Sequence, residues 1–285
     1  MTSTVQESGS AGCRSEYGTL KRVVLCPPRH MAIKDIINDV QKKYATDNIN
    51  TKLAMKQHAN FVRALNEQGT ETVLLEPHPD YPEQVFTRDI GFTVGDEVFV
   101  SEMACSIRQG EEKELQKWLQ TDNIPYRRMS GRRMEGGDVI VDRDSVFVGI
   151  SSRTGREAVH QLKKHVPDHQ VIPIHFAENY LHLDCVFNVI SEDEALIFPE
   201  AMSEETVDFL AERYHLIHVS KEEQFTLGTN VLSIGDRRIF SLPQNPQVNT
   251  ALRKRGYEVI EIDLSEIIKS GGSFRCCTMP IERGS

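Results

Sequence analysis

The sequence predicts a mixed α/β fold in which a ββαβ module repeats about five times around an axis. Three observations predict it. First, four stretches share one outline: GFTVGDEVFVSEM from Gly91, GGDVIVDRDSVFVGI from Gly136, DCVFNVISEDEALIF from Asp184 and TNVLSIGDRRIFSL from Thr229. In each, two short β-branched and aromatic runs flank a polar turn, the signature of a hairpin. Second, the units recur roughly every 45 to 50 residues, a period at which repetition governs architecture. Third, hairpins ahead of every helix are awkward for ordinary βαβ crossovers, which disfavours an irregular open sheet.

The elements follow in chain order. The leader MTSTVQESGSAG lacks a basic and then apolar signal, so residues 1–15 are expected to form a flexible tail ahead of a single domain over 16–285. GTLKRVVLCPP reads as a strand, Ile36 to Gln68 as one long helical run and ETVLLEP as a second strand. This first module fits the outline less well. In the four clear modules the turns fall at Gly95-Asp96, Asp142 to Ser145, Ser191 to Glu194 and Gly235-Asp236. Amphipathic helices follow, as in Gly155 to His165 and Ser203 to Arg213, and strands such as QVIPIHF and YEVIEID close the units. Closing such a ring aims the loops of all modules at one central place, where residues distant in sequence meet.

Composition narrows the function. With 285 residues and 39% hydrophobic residues, the chain supports a sizeable core. A net charge of −9 argues against a nucleic-acid partner and leaves room for a cationic small molecule. No apolar run approaches the ~20 residues of a membrane span, so no membrane partner is expected. The six cysteines show neither a framework spacing nor a CxxC pair, which suits reduced thiols in a cytoplasmic protein.

Four patches at equivalent module edges carry chemistry: FTRD with Asp89, MEGGD with Glu135, HLD with His182 and Asp184, and GGSFRCC with Cys276 and Cys277. Each has a plain structural reading: a salt-bridged aspartate, carboxylates bracing a tight Gly-Gly turn, a packed histidine, small buried thiols. Together they supply a thiol, an imidazole and three carboxylates. A thiol needs a base or a lowered pKa, because at its free value of ~8.5 little is thiolate near neutrality. A histidine supplies proton transfer and a carboxylate fixes it, while further carboxylates match the donor fork of a planar guanidinium. Adjacent residues of a strand face opposite ways, so at most one of Cys276 and Cys277 faces a shared site. The residues alone leave open which.

FTRD, EGGD, HLD and a C-terminal GG-x-x-R-C resemble the guanidine-modifying enzymes of the pentein superfamily, from about Gly18 to Arg283. That group includes dimethylarginine dimethylaminohydrolase, arginine deiminase and the amidinotransferases. The resemblance implies a five-bladed α/β propeller and a nucleophile at Cys276, with Cys277 facing away. It implies that Cys276 attacks the guanidino carbon, that His182 handles protons, that Glu135 orients His182, and that Asp89 and Asp184 grip the guanidinium. Arg153 and, more weakly, Arg108 are expected to receive the substrate carboxylate. Asp138 is expected to brace the turn under Glu135, and Arg275 to line the pocket or support the loop.

No metal or organic cofactor is expected. The partner implied is a small guanidino compound, and an edge-to-edge homodimer is compatible with the sequence. Length favours the compact dimethylarginine hydrolase type, whereas the aspartate two residues after His182 resembles the deiminases and amidinotransferases. Those two activities are the alternatives. A non-catalytic binding module on the same fold is a third reading, and a zinc site from Cys276 and His182 a fourth, although that set does not resemble a closed structural site.

Overall fold

A computed structural model describes residues 10–284. Its strands fall into five separate three-stranded sheets. In chain order they are β1 (Leu20–Leu25), β2 (Glu71–Leu74), β3 (Gly91–Val94), β4 (Glu97–Val100), β5 (Tyr126–Arg128), β6 (Val139–Asp142), β7 (Ser145–Ile150) and β8 (Gln170–His175). They continue with β9 (Phe187–Val189), β10 (Glu194–Ile197), β11 (His215–His218), β12 (Leu232–Ser233), β13 (Arg238–Ser241), β14 (Glu258–Glu261) and β15 (Met279–Arg283). In four sheets the first two strands pair antiparallel as a hairpin and the third lies parallel to the second. This is the ββαβ outline read from the sequence.

The hairpin turns use backbone that suits their residues. Gly95 adopts positive φ, at 55°, in the two-residue connection between β3 and β4, and Gly235, at 92°, does so in the longer connection between β12 and β13. Arg143, Asp236 and Arg237 also take positive φ at the tips of β6–β7 and β12–β13. Between second and third strands run amphipathic helices: α3 (Glu112–Thr121), α4 (Arg156–His165), α5 (Glu204–Ala211) and α7 (Pro246–Lys254), with α1 (Asp39–Tyr44), α2 (Thr51–Glu67) and α6 (Lys221–Phe225) completing the set. Ser203 caps α5 by accepting from Thr206 N, and Pro246 opens α7.

The burial pattern orients each sheet. The first strands β3, β6, β9 and β12 are buried throughout, whereas the third strands β2, β5 and β14 carry exposed and half-buried residues. First strands therefore lie inside and third strands outside. The largest apolar cluster joins Phe61, Phe147, Phe187, Phe240 and Phe274 across several sheets, with Phe61 edge-on to both Phe240 and Phe274.

Two expectations are corrected. The helical run from Ile36 to Gln68 is broken between α1 and α2, because Asn48 turns the chain at φ 54° while its side chain bonds both backbone groups of Ile33. Asn50 then caps α2 through Leu53 N at 3.1 Å. Of the tail expected over residues 1–15, residues 1–9 lie outside the described part. From Gly12 onward the segment is held by bridges from Gly12 to Glu282, Cys13 to Gly95 and Ser15 to Asp142.

The irregularity of the first module also has a cause. Its inner strand is β15, paired antiparallel to β1, while β2 lies parallel on the other side. The hairpin partner of β1 comes from the far end of the chain.

Candidate active site

The chemistry-bearing residues occupy one topological position. Asp89 lies just ahead of inner strand β3, Glu135 precedes β6, His182 and Asp184 precede β9, and Cys276 precedes β15. Because the inner strands carry buried residues on both faces, the loops ahead of them converge in the interior. His182, Asp184 and Glu135 have no exposed surface, and Cys276 is 3% exposed.

His182 Nε2 lies 2.8 Å from Glu135 Oε2, and its Nδ1 lies 3.5 Å from Asp89 Oδ1. Burial works against the imidazolium, but Asp89, the Glu135 hydrogen bond and Asp138 outweigh it and push His182 up to about 10. Asp138 sits behind, accepting from Leu183 N at 2.9 Å and from Ser151 Oγ at 2.7 Å. It braces the backbone beside His182, in another module, as well as its own turn.

The Gly-Gly pair of EGGD is required by close approach. A Cβ on Gly136 would stand 2.1 Å from the Arg88 carbonyl, and one on Gly137 would stand 2.8 Å from both Asp89 Oδ1 and His182 Nδ1.

Cys276 lies in a turn rather than a strand, so strand alternation is not what separates the two thiols. The turn is fixed by Cys277 N donating to Ser273 O and Thr278 N to Arg275 O. Cys276 Sγ lies 3.8 Å from Asp184 Oδ2, and its neighbour Cys185 Sγ lies 3.7 Å from Asp184 Oδ1. Contact with Cys185, burial and the Asp184 charge together hold the Cys276 thiol well above its usual pKa. Cys277 is fully buried in the largest apolar cluster.

Arg108 is placed differently from expectation. It is almost fully buried, makes three contacts to the Glu111 carboxylate, meets Asp89 Oδ2 at 2.5 Å and donates to the carbonyls of Glu83 and Phe86. Its donors are engaged within the protein, so it anchors Asp89 instead of facing an open pocket. Arg153, 6% exposed, reaches Glu135 Oε2 at 3.5 Å and donates to the Ile37 carbonyl at 3.4 Å. It links the α1 segment to the site.

Asp89, Glu135 and His182 place three potential ligand atoms within 4.8 Å of one another. Arg108 and Arg153 already lie against the two carboxylates, and both ring nitrogens of His182 face them. The cluster fits an imidazolium between carboxylates better than a metal. Its buried polar atoms without a hydrogen-bond partner include Asp89 Oδ1, His182 Nδ1 and Arg275 Nε. His182 Nδ1 and Asp89 Oδ1 face each other at 3.5 Å, and Arg275 Nε faces Asp184 Oδ2 at the same distance, so each stands against an opposite charge. A cavity of about 450 Å³, lined by Asn38, Tyr180, Leu181, Cys185, Phe225 and Gly271, falls in the range of small-molecule sites; Asp89, Glu135, His182 and Cys276 do not line it, and it reaches the cluster only through Cys185, whose Sγ lies against Asp184.

The family model of eukaryotic N,N dimethylarginine dimethylhydrolases matches residues 27–283. The chain belongs to this family. Similar to it is the uncharacterized protein YkgA of Bacillus subtilis, 56% identical over 272 residues and covering 95% of each chain. Also similar is the N(G),N(G)-dimethylarginine dimethylaminohydrolase of Mycobacterium tuberculosis, 27% identical over 92% of this chain and 86% of its own. Among solved structures, the N-terminal domain of the cyanobacterial arginine dihydrolase ArgZ superposes with a TM-score of 0.84 at 22% identity, covering 92% of this chain and 98% of that one. That likeness shows the fold.

Sequence reasoning missed one site residue of this dimethylarginine dimethylhydrolase family member. Asn230, fully buried, accepts from Cys276 N at 3.1 Å and donates to the Asp184 carbonyl at 3.2 Å. It ties the thiol loop to the Asp184 loop. Its signal was positional, since it lies just ahead of inner strand β12, separated from it by Val231, the place occupied in other modules by the recognised residues.

Proposed function

We propose that the protein hydrolyses a guanidino C–N bond of a methylarginine- or arginine-like substrate, giving an amine and a ureido product through a thiouronium on Cys276. The observation that carries this reading is the enclosure of Cys276 Sγ, 3.8 Å from the Asp184 carboxylate, with a charged His182 held between Asp89 and Glu135. We read the five sheets as blades about a common axis, which is how loops from four modules reach one place.

The reaction follows from the charges. Without substrate the thiol stays protonated, because burial and Asp184 oppose a second negative charge. A guanidinium entering between Asp184 and Asp89 brings a positive charge beside the sulfur and favours thiolate, the thiol proton leaving to solvent. The sulfur then bonds to the guanidino carbon, and His182 donates its proton to the departing amine as the C–N bond breaks. The neutral imidazole next takes a proton from water, whose oxygen adds to the thiouronium carbon. The carbon–sulfur bond breaks as the remaining O–H proton passes to the sulfur, restoring the resting thiol and leaving the neutral ureido group. General acid–base help of this kind is typically worth ~10²–10⁴ in rate.

A second reading rests on Asp184. A carboxylate this close to the thiol favours nitrogens that still carry N–H donors, which suits plain arginine. The test is ureido-product formation from arginine, mono- and dimethylarginine, agmatine and guanidinoacetate, with and without glycine as acceptor, beside Cys276→Ser. Turnover of methylarginines lost in the variant supports the first reading, and preference for arginine supports the second. Guanidino transfer only with an acceptor, or no turnover by the wild type, overturns the hydrolase proposal.

A further inference from the structure

The segment from Gly12 to Gly18 crosses three sheets, and at its centre it sends Glu16 inward until only 5% of the residue is exposed. Glu16 Oε2 meets Arg275 Nη1 at 2.6 Å and Oε1 accepts from Arg275 Nη2 at 3.0 Å, a paired-donor contact. Arg88 Nη2 reaches the same carboxylate at 3.4 Å, and Val141 N donates to it at 3.1 Å.

These partners are not arbitrary. Arg275 directly precedes Cys276, and Arg88 directly precedes Asp89. Arg88 N also donates to the Cys276 carbonyl at 3.0 Å. The Nε of Arg275 faces Asp184 Oδ2 at 3.5 Å without a hydrogen bond. Glu16 thus binds, from behind, the residues that lead into the thiol and into one of the guanidinium-facing carboxylates.

We propose that Glu16 is a positioning residue for the reaction. By neutralising Arg275 and Arg88 it fixes the geometry of the Cys276 and Asp89 loops and keeps those cations from competing with substrate for Asp184 and Asp89. The proposal rests on the guanidino-hydrolase reading for its substrate half, whereas its effect on the thiol does not.

The charged and titratable groups around the thiol are Cys185, Asp184 and Asp89, with Arg275 behind them. Around Glu16 stand Arg275, Arg88, Arg283 and Cys13. Burial opposes the Glu16 charge, yet Arg275 and Arg88 hold its carboxyl well below the usual range, so it is ionised throughout the working pH range. Removing that charge leaves Arg275 with Asp184 as its remaining carboxylate and adds a net positive charge behind the thiol, which favours thiolate.

The experiment compares wild type, Glu16→Gln, Glu16→Asp and Arg88→Met. It reads the pH profile of iodoacetamide labelling at Cys276, mapped by peptide mass spectrometry, and KM against kcat for the best guanidino substrate. Glu16→Gln is expected to move the labelling midpoint about one pH unit to the acid side and to raise KM roughly tenfold, with a smaller change in kcat. Glu16→Asp keeps the charge and is expected to restore the wild-type midpoint. Arg88→Met removes a cation from the same cluster and is expected to move the midpoint to the alkaline side.

A folded Glu16→Gln protein with unchanged midpoint and KM would overturn the proposal. Should that variant not fold, an Arg88→Met midpoint that stays put or moves acid would do the same. If no guanidino compound is turned over, the labelling arm still decides the role of Glu16, so the two proposals fail separately.

Discussion

Glu135 and His182, 47 residues apart in the chain, are joined by a 2.8 Å contact between Oε2 and Nε2 inside the protein, with neither side chain reaching solvent. The contact orients the imidazole and, together with the Asp89 charge, holds it protonated. Glu135→Gln keeps the shape and removes the charge. Turnover is expected to fall by about 10²–10⁴, with KM changing far less, in steady-state kinetics. An equal rise in KM with kcat untouched would assign Glu135 to substrate binding instead.

The charge on His182 has its own pH signature. Its folded pKa of about 10 lies above the usual value of 6.5, so its pairing stabilises the fold fully below pH 6.5. That contribution is lost as pH rises through 10. Imidazole resonances of the resting protein should therefore show His182 still protonated at pH 8. Thermal unfolding midpoints should fall between pH 7 and 10 more steeply in wild type than in His182→Gln. A resonance titrating near 6.5 would contradict this.

The two adjacent thiols should separate cleanly on mutation. Cys277 packs in the apolar core, so Cys277→Ala is expected to cost about 1 kcal/mol in denaturant unfolding while turnover persists. Cys276→Ser should leave the unfolding curve nearly unchanged and abolish turnover. The reverse pattern would move the nucleophile to Cys277.

Gly136 and Gly137 differ in what they press against. A Cβ at Gly136 meets the Arg88 backbone at 2.1 Å, where nothing yields, so Gly136→Ala should express as unfolded or strongly destabilised protein. At Gly137 the obstacles are the Asp89 and His182 side chains. Gly137→Ala should fold, as circular dichroism would show, and lose most of its turnover by pushing those two groups apart.

Arg108 pairs with both Glu111 and Asp89 in the interior. Arg108→Met leaves those carboxylates without their partner, at an expected cost of about 3–5 kcal/mol. Denaturant titration checks this. A loss confined to KM, with stability intact, would return Arg108 to the substrate-carboxylate role.

Much of this was legible because the repeat writes itself in short runs. β3–β4, β6–β7, β9–β10 and β12–β13 were visible as hairpins from alternating turn and β-branched residues, and EGGD and HLD stood out against them. What stayed hidden depends on contacts across the chain. The pairing of β1 with β15 leaves no local trace, since Leu20 and Arg283 meet only after everything between them has folded. The burial of Arg108 follows from Glu111 and Asp89 being nearby, which spacing alone does not show. Asn230 has an unremarkable side chain and acquires its role only by standing where two loops touch.

The donated strand β15 has a consequence for the order of assembly. The first sheet is complete only when residues 279–283 have been made, and Cys276 lies in the turn just ahead of them. During synthesis the four later sheets come within reach of being built while the first still shows a bare edge and the thiol has not emerged. The growing polypeptide therefore brings Cys276 against Asp184 only after its last described strand has been made, so that one late pairing event both closes the first sheet and sets the thiol in place.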